Sequence, residues 1–317
     1  MEGTAGEVTA AMRGEVTAAA RGEVIAGGRR LEYAWHGPGP GEAPTLVFLH
    51  DGLGCVGTWR DVPAALAAAT GCGALVYSRA GYGGSQAAAG APGEPDAPGG
   101  PAEWPVRFMH DEAAVVLPRV LAELGVRDGF LVGHSDGASI ALLYASAAEE
   151  AGGWLRGLVL EAPHVFVEPV CVESIARMAA TYGRGEGGGE GRAGGEAREG
   201  GGDLARRMAR HHGANADGCF AGWSGVWLRP EFRAWNIEAA LPGVRCPVLA
   251  VQGADDEYGT LAQLAAIERG CGGPVETLVV PDCGHTPHHQ QRAATLAAMR
   301  DFIRRRLRDG ESGDEHA

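Results

Sequence analysis

The stretch Gly129-Phe-Leu-Val-Gly-His-Ser-Asp-Gly-Ala-Ser139 decides the fold of this chain. Its apolar beginning, residues 129–133, is typical of a buried strand, and the run 138–146 predicts a helix. Between them stands the pattern G-x-S-x-G, with Ser135 at its centre. A strand-to-helix turn this tight strains the backbone at its apex, and the flanking glycines let the chain pass and hold the serine hydroxyl out over the sheet. The stretch therefore predicts a nucleophilic serine facing the N-terminus of the following helix.

A chain with 52 Gly can also produce this pattern by accident, and Ser135 is then a structural residue in a tight turn. Chemistry elsewhere in the chain separates the two interpretations. A serine hydroxyl is a weak nucleophile at neutral pH, so it needs a base within hydrogen-bonding reach, and the base needs an acid to orient it.

Candidates for both groups follow later strands. Parallel sheets carry functional residues at the carboxyl ends of their strands. A strand at 246–251 leads to Asp255 and Asp256, and a strand at 274–280 leads to His285. The order Ser, Asp, His along the chain, with each residue after a strand, favours a catalytic role for Ser135 over a structural one.

Strands alternate with helices over most of the chain, which indicates an α/β fold with a mostly parallel sheet covered on both faces. Residues 164–241 break this alternation, because they are rich in Trp, Arg, His and Met and contain no strand pattern. We expect them to form a helical insertion. Within it, residues 183–202 are nearly all Gly, Glu, Arg and Ala, a composition typical of a disordered surface loop.

The remaining divisions of the chain follow from composition. Three copies of an octapeptide beginning Gly-Glu-Val open the sequence, and the third runs into a predicted strand hairpin. The predicted parts are a repeat leader without stable structure (1–21), a core in two halves (22–163 and 242–308), the insertion between them and a tail (309–317).

The composition limits the partners. A formal net charge of −13 argues against nucleic acid and against anionic membranes. The seven Cys contain no C-x-x-C pair, so neither a metal site nor a disulfide framework is expected, and a reducing cytoplasm is the simplest setting. No apolar run reaches the length of a membrane span, and charged residues interrupt the N-terminus where a signal peptide would be apolar. We expect a monomer or homodimer that acts on a small molecule and needs no cofactor.

The chain resembles the α/β-hydrolase-fold serine hydrolases over about residues 22–307. The resemblance is carried by five motifs, namely His50-Asp-Gly-Leu-Gly54, Ser78-Arg-Ala-Gly-Tyr-Gly-Gly-Ser85, Gly133-His-Ser-Asp-Gly137, Gly253-Ala-Asp-Asp256 and Gly284-His285. It implies Asp256 as the acid that orients His285, with Asp255 as the alternative.

The resemblance also implies an oxyanion hole made of two backbone N–H groups. These would be the N–H groups of Gly52 and Asp136, with Leu53 as an alternative to Gly52. A carboxylate beside a developing oxyanion is repulsive, so we expect the side chains of Asp51 and Asp136 to turn away from the hole.

Three histidines near these motifs are expected to have other roles. We expect His134 to pack beside the nucleophile turn rather than to act in catalysis. His288 and His289 are expected at the surface or behind the catalytic groups.

In this family a helical insertion often forms a cap that covers the serine and shapes the substrate pocket. The residues expected to line the pocket are Leu53, Met208, His212, Phe220, Trp223 and Trp227, although the aromatic residues could instead form the core of the cap.

The sequence as a whole predicts a serine hydrolase that cleaves a small-to-medium carboxylic ester or thioester through an acyl-enzyme. Two other enzyme activities use the same residues, namely hydrolysis of a C–C bond in a ring-cleavage product and cofactor-free perhydrolysis. A different class, a non-catalytic protein that binds a small molecule on a hydrolase scaffold, also stays open.

Overall fold

The computed structural model describes residues 19–88, 104–147, 154–182 and 201–314. The predicted repeat leader, apart from its last residues, and most of the predicted Gly-rich loop at 183–202 lie outside these residues.

An eight-stranded sheet forms the centre of the molecule, in the order β1-β2-β4-β3-β5-β6-β7-β8. The strand β2 pairs antiparallel with β1 and β4, and the other neighbours pair in parallel. The strands are β1 (Ala20–Ala26), β2 (Arg29–His36), β3 (Thr45–Leu49), β4 (Gly73–Tyr77), β5 (Gly129–His134), β6 (Leu155–Glu161), β7 (Val248–Gly253) and β8 (Val275–Val280).

The central strands are buried along their whole length. Every residue of β3, β4, β5 and β7 is buried, which is why these segments read as continuous apolar runs rather than alternating ones. Helices must therefore cover both faces of the sheet, as the sequence predicts.

Nine helices surround the sheet in the part of the chain that is described. They are α1 (Val62–Thr70), α2 (consecutive segments Phe108–Asp111, Glu112–Val116 and Leu117–Glu123), α3 (Asp136–Ala147), α4 (Pro169–Tyr182), α5 (Gly201–His212), α6 (Ala216–Leu228), α7 (Ala262–Gly270), α8 (Pro287–Gln290) and α9 (Arg292–Asp314). Short 3₁₀ segments connect some of them.

The core consists of two apolar layers, one on each face of the sheet. Leu66 of α1 and Phe302 of α9 belong to the first layer. Leu117 of α2, Ile140 of α3 and Ile267 of α7 belong to the second, which continues into the helices between β6 and β7. The helices α4, α5 and α6 all lie in that connection, and no strand interrupts its described residues.

Three predicted boundaries are wrong by a few residues. The strand β1 begins at Ala20, inside the predicted leader, because it pairs with β2 from the Ala20–Trp35 position onward. The helix α5 begins at Gly201, inside the predicted loop. The helix α9 continues to Asp314, through much of the predicted tail, and an ion pair between Arg306 and Asp309 spans one of its last turns.

Candidate active site

Ser135 stands at the apex of a sharp turn between β5 and α3. Its φ of 53° lies in the left-handed region, which costs energy for a residue with a side chain. A Cβ at Gly133 would lie 2.5 Å from the carbonyl oxygen of Gly137, and a Cβ at Gly137 would overlap the carbonyl of Leu49. Both glycines are therefore required by close backbone approach, which explains the G-x-S-x-G pattern physically.

The structure brings Ser135, His285 and Asp256 into one hydrogen-bonded chain. Nε2 of His285 lies 3.0 Å from Oγ of Ser135. Nδ1 of the same ring lies 2.9 Å and 3.0 Å from the two carboxylate oxygens of Asp256. Asp255 is exposed and its backbone N–H donates to the carbonyl of Cys283, so of the two predicted acids it is Asp256 that contacts the histidine.

Asp256 is held by donors besides His285. The N–H of Tyr258 donates to one carboxylate oxygen (2.8 Å), and Nε2 of Gln252 donates to the other (3.2 Å). Burial raises the pKa of Asp256, but His285 and the hydrogen bonds outweigh it, and the net pKa is lowered. Burial likewise lowers the pKa of His285, but the carboxylate of Asp256 outweighs it, and the net pKa is raised. The pair therefore favours a charged imidazole beside an ionised carboxylate.

His134 fixes the loop that carries the candidate base. Its Nε2 lies 2.7 Å from the backbone carbonyl of His285, to which it donates. Burial lowers the pKa of His134 to about 4, so the ring is neutral at neutral pH. We predicted a packed neighbour of the turn, and the hydrogen bond adds a function in orienting His285.

Two backbone N–H groups lie where the resemblance predicts an oxyanion hole. The N–H of Asp136 belongs to the first residue of α3, where intrahelical acceptors are absent. Gly52 lines the same cavity as Ser135, and no acceptor for its N–H occurs among the described residues. The N–H of Leu53, the alternative donor, instead donates weakly to the carboxylate of Asp51 (3.4 Å).

The two acidic side chains beside these donors are directed toward other groups, although both residues line the cavity. The carboxylate of Asp51 accepts from Leu53 and lies 3.9 Å from Nδ1 of His134. The carboxylate of Asp136 is 1% exposed and lies 3.8 Å from the guanidinium of Arg79. Burial raises the pKa of Asp136 to about 6, against the opposing effect of Arg79.

A cavity of about 320 Å³ opens above Ser135, between the strand ends and the helices α4, α5 and α6. Of the predicted pocket residues, Leu53, Met208, His212, Trp223 and Trp227 line it. His212 also connects two loops, since its ring nitrogens contact the N–H of Gly83 (3.0 Å) and the carbonyl of Leu53 (3.0 Å).

The prediction for Phe220 is wrong. Phe220 does not line the cavity, because its ring stacks on Tyr182 with 3.8 Å between ring centroids and an angle of 8°. It therefore belongs to the packing between α4 and α6, the alternative that the sequence left open for these aromatic residues.

Sequence reasoning missed several residues around the cavity. The rings of His164 and Tyr258 lie 5.7 Å and 4.6 Å from that of His285, measured between centroids. Burial lowers the pKa of His164 to about 3, so it is neutral. Both residues follow strand ends, β6 and β7, and the rule that located Asp256 could have found them.

A second pair of histidine and carboxylate lies beside the first. Nδ1 of His288 lies 2.7 Å from Oε2 of Glu161, the last residue of β6, and both side chains are buried. His288 is thus a buried group behind the nucleophile turn, not a surface residue. His289 also lines the cavity, and its ring contacts the carbonyl of Thr58 (3.1 Å).

The described residues contain no cluster of three or more His, Cys, Asp or Glu side chains suited to a metal ion. Within the same residues, no helix combines the length and apolar character that crossing a membrane requires.

This fold, with a serine at the β5–α3 turn and a histidine and an aspartate after the last two strands, defines an α/β-hydrolase. The sequence profile of the Alpha/beta hydrolase family matches residues 46–298, and the chain belongs to that family. A sequence comparison with curated proteins gives no significant match.

Solved structures agree on the fold. The chain is similar to VinJ, with 23% identity and a TM-score of 0.63, over 90% of this chain and 98% of that one. It is similar to a bacterial membrane phospholipase A, with 18% identity and a TM-score of 0.65, over 95% and 91%. It is also similar to a thermophilic esterase from Thermogutta terrifontis, with 20% identity and a TM-score of 0.59, over 90% and 99%. The family match supports a hydrolase, and these neighbours support the fold.

Proposed function

We propose that this protein is a serine hydrolase that cleaves small-to-medium carboxylic esters or thioesters through an acyl-enzyme. The observation that carries the proposal is the hydrogen-bonded chain from Oγ of Ser135 through His285 to Asp256, at the floor of a cavity. A serine, a base in contact with it and a buried acid in contact with the base are the parts that nucleophilic acyl transfer requires.

The geometry supports a definite sequence of steps. Oγ of Ser135 attacks the substrate carbonyl while Nε2 of His285 takes its proton, and Asp256 stabilises the charged ring. The N–H groups of Gly52 and Asp136 hold the negative oxygen of the tetrahedral intermediate. His285 then protonates the leaving alcohol or thiol, which leaves the acyl group on Ser135. Water, deprotonated by the same histidine, releases the acid.

The size and lining of the cavity support the substrate class. A volume of about 320 Å³ is at the lower end of the range for small-molecule sites, about 300–1,000 Å³. The helices above Ser135 contribute apolar side chains, among them Ile175, Met178 and Trp223, which suit an acyl chain. Polar groups lie at the strand ends around the serine, where the carbonyl would react, and also on α5, where Arg207, His211 and His212 line the cavity.

Turnover of a p-nitrophenyl ester by wild-type protein and by the Ser135→Ala variant tests the proposal. We expect steady multiple turnover by the wild-type protein and its loss in the variant, with unchanged thermal unfolding. Tight binding of a small molecule without turnover of short esters, thioesters or ring-cleavage dienones would instead establish the non-catalytic class. Turnover of the dienones alone would establish the C–C hydrolase.

A further inference from the structure

The loop Ser78–Ser85, which follows β4, has no part in the mechanism above, yet it contacts the predicted oxyanion hole from behind. Nη2 of Arg79 donates to the carbonyl of Asp51 (2.9 Å), and the hydroxyl of Tyr82 donates to the carbonyl of Gly52 (3.1 Å). Arg79 is 5% exposed and does not line the cavity. The loop therefore holds the backbone around Gly52 from the side opposite to the substrate.

Three donors converge on the carbonyl of Asp51. Besides Arg79, they are Nδ1 of His50 (2.8 Å) and the N–H of Gly54 (3.2 Å). The backbone N–H of Arg79 donates to Nε2 of His50 (3.1 Å), so that nitrogen is unprotonated and the proton of this ring is on Nδ1. Burial lowers the pKa of His50 well below its usual value, which keeps the ring in this neutral form.

This carbonyl belongs to the same peptide unit as the N–H of Gly52. In a trans peptide the C=O and N–H bonds point in opposite directions. Donors that fix the carbonyl of Asp51 toward Arg79 therefore direct the N–H of Gly52 toward the cavity. A cationic donor also polarises the peptide, which makes that N–H a stronger donor.

The same guanidinium lies behind the other half of the hole. Its Nη2 is 3.8 Å from the carboxylate of Asp136, whose backbone N–H is the second predicted donor. The carboxylate has no completed hydrogen bond among the described residues, and the indole N–H of Trp227 lies near it outside hydrogen-bonding geometry. The other acid near Arg79 is Glu112, which accepts from the hydroxyl of Tyr77 (2.8 Å) and whose pKa is raised by burial. Arg79 is thus the buried cation that offsets Asp136.

We propose, on the basis of the function proposed above, that Arg79 is a positioning residue of the oxyanion hole. It orients the Asp51–Gly52 peptide so that its N–H faces the oxyanion, and it compensates the charge of Asp136 at the other donor. Two acids, Asp51 and Asp136, flank this hole. Arg79 binds the backbone carbonyl of the first and offsets the charge of the second. A purely structural role for Arg79 would affect stability without a specific effect on the transition state.

The experiment compares wild-type protein, Arg79→Met, Arg79→Lys, Asp136→Asn and the double variant Arg79→Met with Asp136→Asn. Each is assayed for kcat and KM on a p-nitrophenyl ester and for inhibition by a trifluoromethyl ketone of matched chain length. The ketone adds to the serine and places a negative oxygen in the hole. Arg156→Met is the matched control, since Arg156 binds Asp128 (2.9 Å) at the opposite end of the sheet.

For Arg79→Met we expect a loss of kcat of about 10²-fold, the size of losing one oxyanion donor, with KM changed less than about threefold. The inhibition constant of the ketone should rise by the same factor as kcat/KM falls. Arg79→Lys, which keeps the charge, should recover part of the loss. Arg156→Met should lower stability and leave kcat and the inhibition constant unchanged.

Arg79→Met alone can fail to fold, because it leaves the buried carboxylate of Asp136 without a cation. The double variant avoids this problem, because it removes both charges. It should fold and still show kcat/KM at least about tenfold below Asp136→Asn alone, because the Asp51 carbonyl has lost its cationic donor. Equal kcat/KM and equal ketone inhibition in these two variants, within about twofold, would overturn the inference. Absence of turnover in the wild-type protein would overturn the proposed function, and the inference with it.

Discussion

One carboxylate, that of Asp256, sets the charge state of the candidate base. Its negative charge raises the pKa of His285 above the usual 6.5, in spite of burial. A general base acts only when neutral, so activity should fall as the pH drops through this raised pKa. The contact between Asp256 and His285 therefore predicts a pH dependence of activity that can be measured.

We predict that Asp256→Asn moves the acid limb of the pH profile of kcat/KM to lower pH, because the neutral amide no longer stabilises the imidazolium. The variant should also lose about 10⁴-fold in kcat, as expected when the acid of a Ser-His-Asp triad becomes an amide. The matched control is Asp255→Asn, the neighbouring exposed acid, which should leave both the profile and kcat unchanged. A larger loss in the control than in Asp256→Asn would move the acid to Asp255.

The sequence predicted these residues because each occupies the carboxyl end of a parallel strand, where topology alone brings distant segments together. Ser135, His285 and the pair Asp255 and Asp256 needed no knowledge of side-chain packing, and the choice of Asp256 over Asp255 came from the family resemblance. His134 and Arg79 differ, because their hydrogen bonds to the backbone of His285 and Asp51 depend on the path of loops. Such contacts leave no periodic signal in the sequence. The motif 78–85 was therefore identified from the sequence, but no role was predicted for it.

At the scale of elements, α6 shows why pocket residues are hard to predict. Phe220 and Trp223 are three residues apart on one helix, and both are buried. Phe220 stacks on Tyr182 of α4, whereas the indole of Trp223 lies directly against Gly52 in the cavity. Composition and spacing indicate that a helical residue is buried, but not whether it faces a neighbouring helix or a cavity.

Alanine variants of these two aromatic residues therefore form a matched pair. We predict that Trp223→Ala shifts the acyl-chain preference toward longer or bulkier esters, because it enlarges the cavity above Gly52. Phe220→Ala should lower the free energy of unfolding by about 3 kcal/mol and leave the chain-length preference unchanged. A chain-length series of p-nitrophenyl esters, with denaturant unfolding of each variant, measures both effects. The assignment of the two residues would be reversed if Phe220→Ala alone changed the preference.

At the scale of the whole molecule, a mostly parallel sheet with helices on both faces follows from alternating strands and helices, and the sequence predicted it. The order of the strands depends on which segments pair in space, and the sequence did not predict it. The ends of elements are less predictable, since β1 begins inside the predicted repeat leader and α9 continues into the predicted tail. Their limits are set by partners, such as the pairing of Ala20 with Trp35, rather than by local preference.

The buried pair of Glu161 and His288 connects the middle of the sheet to the segment that leads into α9. Burial raises the pKa of Glu161, but His288 outweighs it and the net pKa lies below the usual 4.5. A carboxyl whose pKa is lowered in the folded state stabilises that state above its unfolded pKa, and this stabilisation is lost as the pH falls.

We accordingly predict that Glu161→Gln lowers the free energy of unfolding by about 3 kcal/mol at pH 7, because it removes the buried carboxylate that Nδ1 of His288 contacts at 2.7 Å. The difference from the wild-type protein should shrink as the pH falls from the usual pKa of 4.5, where the unfolded chain is protonated at Glu161, through the lower pKa of the folded protein. Glu276→Gln, which removes an exposed ion pair with Arg305, serves as control and should cost less than about 1 kcal/mol. A pH-independent difference for Glu161→Gln, measured by urea unfolding, would contradict the pairing.

The central claim is that Ser135 forms a covalent acyl intermediate during ester cleavage. Rapid acid quench of the protein with a p-nitrophenyl ester, followed by intact mass and peptide mapping, tests it most directly. We predict a mass increase of one acyl group on the peptide that contains Ser135, absent in Ser135→Ala. Ester turnover by the wild-type protein with the acyl group on another residue, or turnover that persists in Ser135→Ala, would contradict the account.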